Sequence, residues 1–205
     1  MVKPGSLFLA LLLPVVALSP PLPAAAKAQV ARTYKIDFEN EGLPARQKEL
    51  LGHYADQIVQ WASVGPLVKA AEAQSGRPLT MDHIHQIDVA WQRGEDPEGL
   101  ATGLAHNDCA QALQSILAAN PGYGEAFVCD SRGALVCMSR RTSDYWQGDE
   151  AKWTRAWAGG TGVVFVSKVA HDDSTGTDLM HISVPIRAGS RLVGVLTMGK
   201  LLAGN

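Results

Sequence analysis

Hydrogen-bonding and aromatic side chains are packed most densely into one stretch, Arg140-Arg141-Thr142-Ser143-Asp144-Tyr145-Trp146-Gln147-Gly148-Asp149-Glu150. A guanidinium offers a planar fork of donors that fits a carboxylate bidentately, so Arg140 or Arg141 could clamp an acid. Tyr145 and Trp153 could wall a pocket, Gln147 and Asp149 could add polar contacts, and Asp172 could accept from an amine. A few fixed polar groups within an apolar lining is how a small molecule is usually held, and this inventory predicts an anionic or zwitterionic ligand. The same residues also have purely structural readings: Asp149 as cap of a helix beginning at Glu150, Tyr145 and Trp153 as core.

Other chemistries find less support. His83 and His85 lie two apart on a predicted helix and so occupy different faces. Neither His106-Asn107-Asp108-Cys109 nor His171-Asp172-Asp173 has a spacing that demands a metal, so no metal and no other cofactor is expected. The motifs G-x-S-x-G, H-E-x-x-H, G-x-x-x-x-G-K-[ST] and a G-x-G-x-x-G following a strand are all missing. Cys109 and His106 sit too close at one helix start to face each other as nucleophile and base. An enzyme is therefore not expected. Of the three cysteines, Cys129 and Cys137 flank the turn Asp130-Ser131-Arg132-Gly133, where a cross-strand disulfide is conceivable, although the register favours a diagonal placement. Three buried thiols are the alternative.

Helices must come first in the chain and strands later. Leu50, Tyr54, Ile58, Trp61, Gly65, Val68 and Ala71 recur at spacings of four and three, one face of a long helix over 43–75. Gly65-Pro66 should kink or break it. Thr80 caps a second helix carrying Ile84, Ile87 and Trp91 on one face, and Trp61 and Trp91 are expected to be core. After a loop through 94–99, Cys109 to Ala119 reads as a third helix. The period then changes: 125–129 and 134–139 form a hairpin around a glycine turn, 150–157 is a short helix, and 163–169, 180–187 and 192–201 are strands. This order predicts an α+β fold with an antiparallel sheet.

The first residues read as an export signal. Lys3, the apolar run Leu7 to Leu18 and the small residues Ala24-Ala25-Ala26-Lys27-Ala28 make a secretory signal peptide over 1–28. Pro14 and Pro20-Pro21 leave the run short of the roughly 20 residues of a membrane span. Cleavage after Ala28 would leave 177 residues, an extended segment over 29–42 and one domain over 43–205. Since Lys3 and Lys27 are the only charged residues removed, the net charge would pass from −2 to −4. A mildly acidic exported domain has no electrostatic footprint for nucleic acid. A periplasmic or secreted protein is expected.

The stretch Glu125-Ala-Phe-Val-Cys-Asp-Ser-Arg-Gly-Ala-Leu-Val, followed by Thr142-Ser-Asp-Tyr-Trp-Gln-Gly-Asp-Glu-Ala-Lys-Trp153, resembles the extracytoplasmic Cache (PDC-type) sensor domains. So do His171-Asp-Asp-Ser174, Ile182-Ser-Val-Pro-Ile186 and Gly194-Val-Leu-Thr-Met-Gly-Lys200, and Ile87-Asp88-Val89-Ala90-Trp91 matches a helical segment of that family. The departures are Lys152, where the family often has a tryptophan, and His171, where an aromatic is usual. The resemblance covers most of 45–202. It implies a long N-terminal helix and short helices on a PAS-like sheet, reversible binding of an organic acid or amino acid, and a signal passed through a membrane-bound partner, with a homodimer compatible with that role. The competing reading is a structural or assembly factor that keeps the fold but has a degenerate pocket.

Overall fold

A proline without an N–H can begin a helix but not continue one, and the 43–75 pattern divides accordingly. In the computed structural model, which describes residues 32–172 and 177–202, helix α1 spans Ala45–Ala62 and α2 spans Gly65–Ser75, with Val64 extended between them and Pro66 in the first turn of α2. The buried stripe of α1 is Leu51, Ala55, Ile58 and Ala62, and Leu50 is 50% exposed. The expected face is thus turned by one residue. Small side chains let the helix lie close to its neighbours, while Tyr54 and Trp61 pack along the flank. Trp61 is half-buried, set edge-on against Tyr123. The expected signal peptide lies outside the described residues.

Thr80 caps α3 (Met81–Gln92) through its side chain, as expected. Helix α4 (Leu100–His106) is not marked in the sequence pattern and fills the stretch between the 94–99 loop and the helix expected from Cys109. It is only seven residues long, too short to show a period, and is set up by left-handed Gly99 and by Asp96 accepting from Ala101 N. Asn107 ends α4 and caps α5 (Asp108–Ala119) at Ala110 N, while its amide donates to Val136 O at 3.0 Å.

The seven strands among the described residues are β1 (Ile36–Phe38), β2 (Tyr123–Asp130), β3 (Leu135–Met138), β4 (Val164–Val166), β5 (Ala170–Asp172), β6 (Thr177–Ala188) and β7 (Arg191–Leu201). They form one sheet ordered β1-β4-β6-β7-β2-β3, with β5 paired to β6. Every pairing is antiparallel except β1 with β4. The fold is therefore α+β with a mixed, mainly antiparallel sheet. One face carries Ala126, Val128, Ile182 and Leu196 against α1, α2 and α5. The other carries Phe127, Cys129 and Leu135 against α3 and α4, and Phe165 and Val195 against α6 (Ala151–Trp157).

That alternation corrects the cysteine expectation. Val128, not Cys129, stands opposite Cys137, and Cys129 belongs to the face that looks toward α3. Cys137 belongs to the other face with α5, and its disulfide is to Cys109, Cα to Cα 5.8 Å. Cys129 is a free buried thiol, and burial pushes its pKa well above the usual value.

The two cores each hold a tyrosine whose pKa is pushed up to about 12 by burial, Tyr123 on one face and Tyr145 on the other. Neutral phenols raised above their unfolded value stabilise the fold fully below pH 10 and lose that contribution as pH rises toward 12. Each unit is about 1.4 kcal/mol, so roughly 2–3 kcal/mol per tyrosine should be lost over that window. Denaturant midpoints measured across the window should fall steeply, and less so in Tyr145→Phe. Equal slopes in the two proteins would contradict this assignment.

Candidate functional site: a covered sheet face and the loop above it

The segment leaving β3 is fastened at both ends. On α3, Asp88 accepts from Tyr145 N and Trp146 N at 2.8 and 2.9 Å, and Trp91 Nε1 donates to Thr142 O at 2.8 Å. Arg141 stacks on the Trp91 ring at 4.0 Å and donates to Trp91 O and Glu95 O, so a cation serves the carbonyl end of that helix. At the hairpin turn, Asp130 is wholly buried and accepts from Arg132 N, Ala134 N and Arg132 Nη2. Gly133 (φ +84°) abuts Gly148: a Cβ added there would stand 2.4 Å from Gly148 Cα. Trp146 Nε1 donates to Arg132 O, Gln147 N to Gly133 O, and Trp153 Nε1 to Asp130 O. Asp88 and Trp91 thus tie the loop to α3, and Asp130, Gly133 and Gly148 tie it to the hairpin. They position the site.

The sequence-predicted site residues are distributed unevenly. Tyr145 is buried, its ring 5.9 Å from that of Trp91. Gln147 is fully buried; its Nε2 donates to Asp144 O and its Oε1 has no hydrogen-bond partner among the described residues. Trp153 is half-buried and stacks on Trp157 at 5.4 Å. Tyr145 and Trp153 pack with the second core. Arg140 and Asp149 are exposed, and α6 has Glu150 at its N-cap with no side-chain cap, so Asp149 does not cap it. Asp172 pairs with Thr177 on the β5–β6 ladder. Three strands separate β3, from which the arginines leave, from β5, a span of about 19 Å at roughly 4.8 Å per strand. The backbone that carries Asp172 and the strand from which Arg140 and Arg141 leave are thus on different parts of the sheet.

It brings together other groups instead. Across β2, β7 and β6 the residues that share the α6-side face fall into rows: Glu125–Gly199–His181, then Phe127–Thr197–Ser183 continuing to Phe165 on β4. Glu125 Oε1 and His181 Nε2 are 2.8 Å apart, and both side chains are largely buried. They meet over Gly199 because it has no side chain; a Cβ there would come within 2.9 Å of Glu125 Cγ. Ser183 and Thr197, both buried, share a hydrogen bond of 2.9 Å, which leaves one of the two O–H protons to donate elsewhere. From α6, Lys152 lies 5.6 Å over the Phe127 ring and pairs with Glu150 at 2.8 Å. Ser183 is bonded to Thr197 and not to the imidazole, so no base activates it as a nucleophile. No group of three or more His, Cys, Asp or Glu side chains that could hold a metal occurs among the described residues.

Glu125, His181, Ser183 and Thr197 escaped the sequence reading. Their signal was present: isolated polar residues at alternate positions of otherwise apolar strands, in Met-His-Ile-Ser-Val and Val-Leu-Thr-Met. Only the strand register makes them neighbours.

Solved structures similar to this chain include ligand-binding domains of chemoreceptors and an extracellular ligand-binding receptor. The ligand-binding domain of the Pseudomonas aeruginosa PAO1 amino acid chemoreceptor PctC, in complex with GABA, is 23% identical over 55% of this chain and 56% of that one, with a TM-score of 0.36. The ligand-binding domain of the Campylobacter jejuni chemoreceptor Tlp3, in complex with 4-methylisoleucine, is 12% identical over 76% and 57%, with a TM-score of 0.39. An extracellular ligand-binding receptor from Desulfohalobium retbaense is 14% identical over 77% and 25%, with a TM-score of 0.37. The chain spans little more than half of the two chemoreceptor domains. No family model matches the sequence, and no curated protein does. Among the described residues no helix is long and apolar enough to cross a membrane.

Proposed function

We propose that this chain is an exported sensor module that binds a small molecule reversibly on the β2–β7–β6 face beneath α6 and passes its occupancy to a membrane-bound partner. One observation carries the reading: a carboxylate, an imidazole and two hydroxyls lie in adjacent rows of an otherwise apolar, covered sheet face. Interior polar groups cost stability unless they are hydrogen-bonded, and beyond the Glu125–His181 and Ser183–Thr197 pairs this face keeps one O–H to donate. Tyr145 and Trp153 pack on the same side of the sheet, Tyr145 with Phe127 and Trp153 with Phe165 and Val195. Binding shifts a conformational or dimer equilibrium that the partner reads. The removal of residues 1–28 on export belongs to the same proposal.

Thermal shift against a metabolite panel that includes GABA, other amino acids and organic acids tests it. At least one compound should raise the melting temperature. Thr197→Val and Glu125→Gln should weaken that compound at least tenfold, about 1.4 kcal/mol, while moving the unliganded melting point little. The competing structural role is favoured by the pairing of Glu125 with His181 and of Ser183 with Thr197, which already satisfies much of the row. It predicts no response to any compound, and that result would overturn the sensor reading.

A further inference from the structure

We infer that the covered sheet face selects against anions, so that its ligand is a net-neutral molecule presenting hydrogen-bond donors and acceptors, and not an organic acid. The inference rests on the site proposed above.

It follows from a count of charges. The face holds one carboxylate, Glu125, in contact with His181, and the start of α6 brings a second pair near it, Lys152 over Phe127 with Glu150, each pair at 2.8 Å. Whatever the protonation of His181, negative groups are at least as many as positive ones. The other charged pairs at the margin are already matched, Arg155 with Asp37 and Arg132 with Asp130. The arginine best placed in the sequence to clamp a carboxylate, Arg141, is committed to the carbonyl end of α3 and to the Trp91 ring. An acid entering this site would bring a third negative charge into a covered region without a cation to receive it, and burying an uncompensated charge is strongly unfavourable. A neutral ligand meets what the face leaves over. The Ser183–Thr197 pair has one O–H to give. A zwitterion meets it too, because its ammonium, set toward Glu125, brings the positive charge that its own carboxylate needs.

Near-isosteric probes separate these cases: propionate, propionamide and L-alanine, titrated into the full chain by calorimetry at neutral pH, with the two Glu125 and Thr197 variants alongside. Propionamide or L-alanine should bind at least tenfold more tightly than propionate. Glu125→Gln removes one carboxylate and should narrow that gap several-fold in favour of propionate. Propionate binding the wild-type chain within tenfold of the neutral probes, or a Glu125→Gln variant with an unchanged order of affinities, overturns the inference while leaving the site in place. Probes that bind wild type, Thr197→Val and Glu125→Gln alike would show that the site itself lies elsewhere. No binding of any probe overturns both.

Discussion

Trp91→Ala should destabilise the protein by about 3–5 kcal/mol, the range for emptying a large aromatic site in a packed core. Trp91 is 1% exposed and sits between Ile84, Leu135 and Tyr145 in the core beneath α3. Its removal leaves more than a cavity. The indole N–H is the donor to Thr142 O, and the ring is the surface on which Arg141 stacks before reaching the carbonyls of Trp91 and Glu95. The variant therefore loosens the loop that carries Tyr145 and Gln147. Trp61→Ala is the control, since Trp61 is half-buried on the flank of α1 and its truncation opens partly to water. Denaturant unfolding should place Trp91→Ala well below Trp61→Ala with little change in slope. Equal losses would show that the α3 core is not the more tightly packed of the two. Trp91→Phe keeps most of the volume, and the part of the loss that persists in it reports the hydrogen bond to Thr142.

The same residues show why a motif can be legible while its role is not. The pattern from Thr142 to Trp153 stood out in the sequence because it concentrates donors, acceptors and aromatics, and such groups suit a ligand and a tight turn equally well. In the structure most of them serve the turn: Asp88, Asp130 and the Gly133–Gly148 contact bind the loop to α3 and to the hairpin. Local pattern marked four helical segments, the first of which the structure divides into α1 and α2, and it marked the hairpin and paired strands, because those depend on local spacing. It could not give β1, three residues whose strand character comes from pairing with β4 far along the chain. Nor could it place Glu125 beside His181, which takes a three-strand register and a glycine at 199. The turned stripe of α1 has a similar origin. Counting apolar residues finds large side chains, whereas close packing selects small ones such as Ala55 and Ala62.

Removing the Cys109–Cys137 disulfide should cost about 3–4 kcal/mol. The bond closes a stretch of 28 residues, and in the chain-entropy account a loop of that length restricts the unfolded ensemble by about that amount. The native contacts around it survive its loss. Asn107 still caps α5 and still donates to Val136 O, and Leu113 and Ala110 remain packed against the sheet. A Cys109→Ala/Cys137→Ala double variant should therefore fold to the same structure with a lower denaturant midpoint, and added reductant should lower the midpoint of the wild type but not of the variant. Cys129 should stay out of the exchange. It is buried among Phe127, Leu135 and Tyr145 on the opposite face of the sheet, and burial holds its thiol protonated, whereas disulfide exchange needs a thiolate. Cys129→Ala should leave the Cys109–Cys137 linkage intact in a non-reducing peptide map. A map showing Cys129 joined to either partner, or a midpoint indifferent to reductant, would contradict the placement of α5 against β3 from which the argument starts.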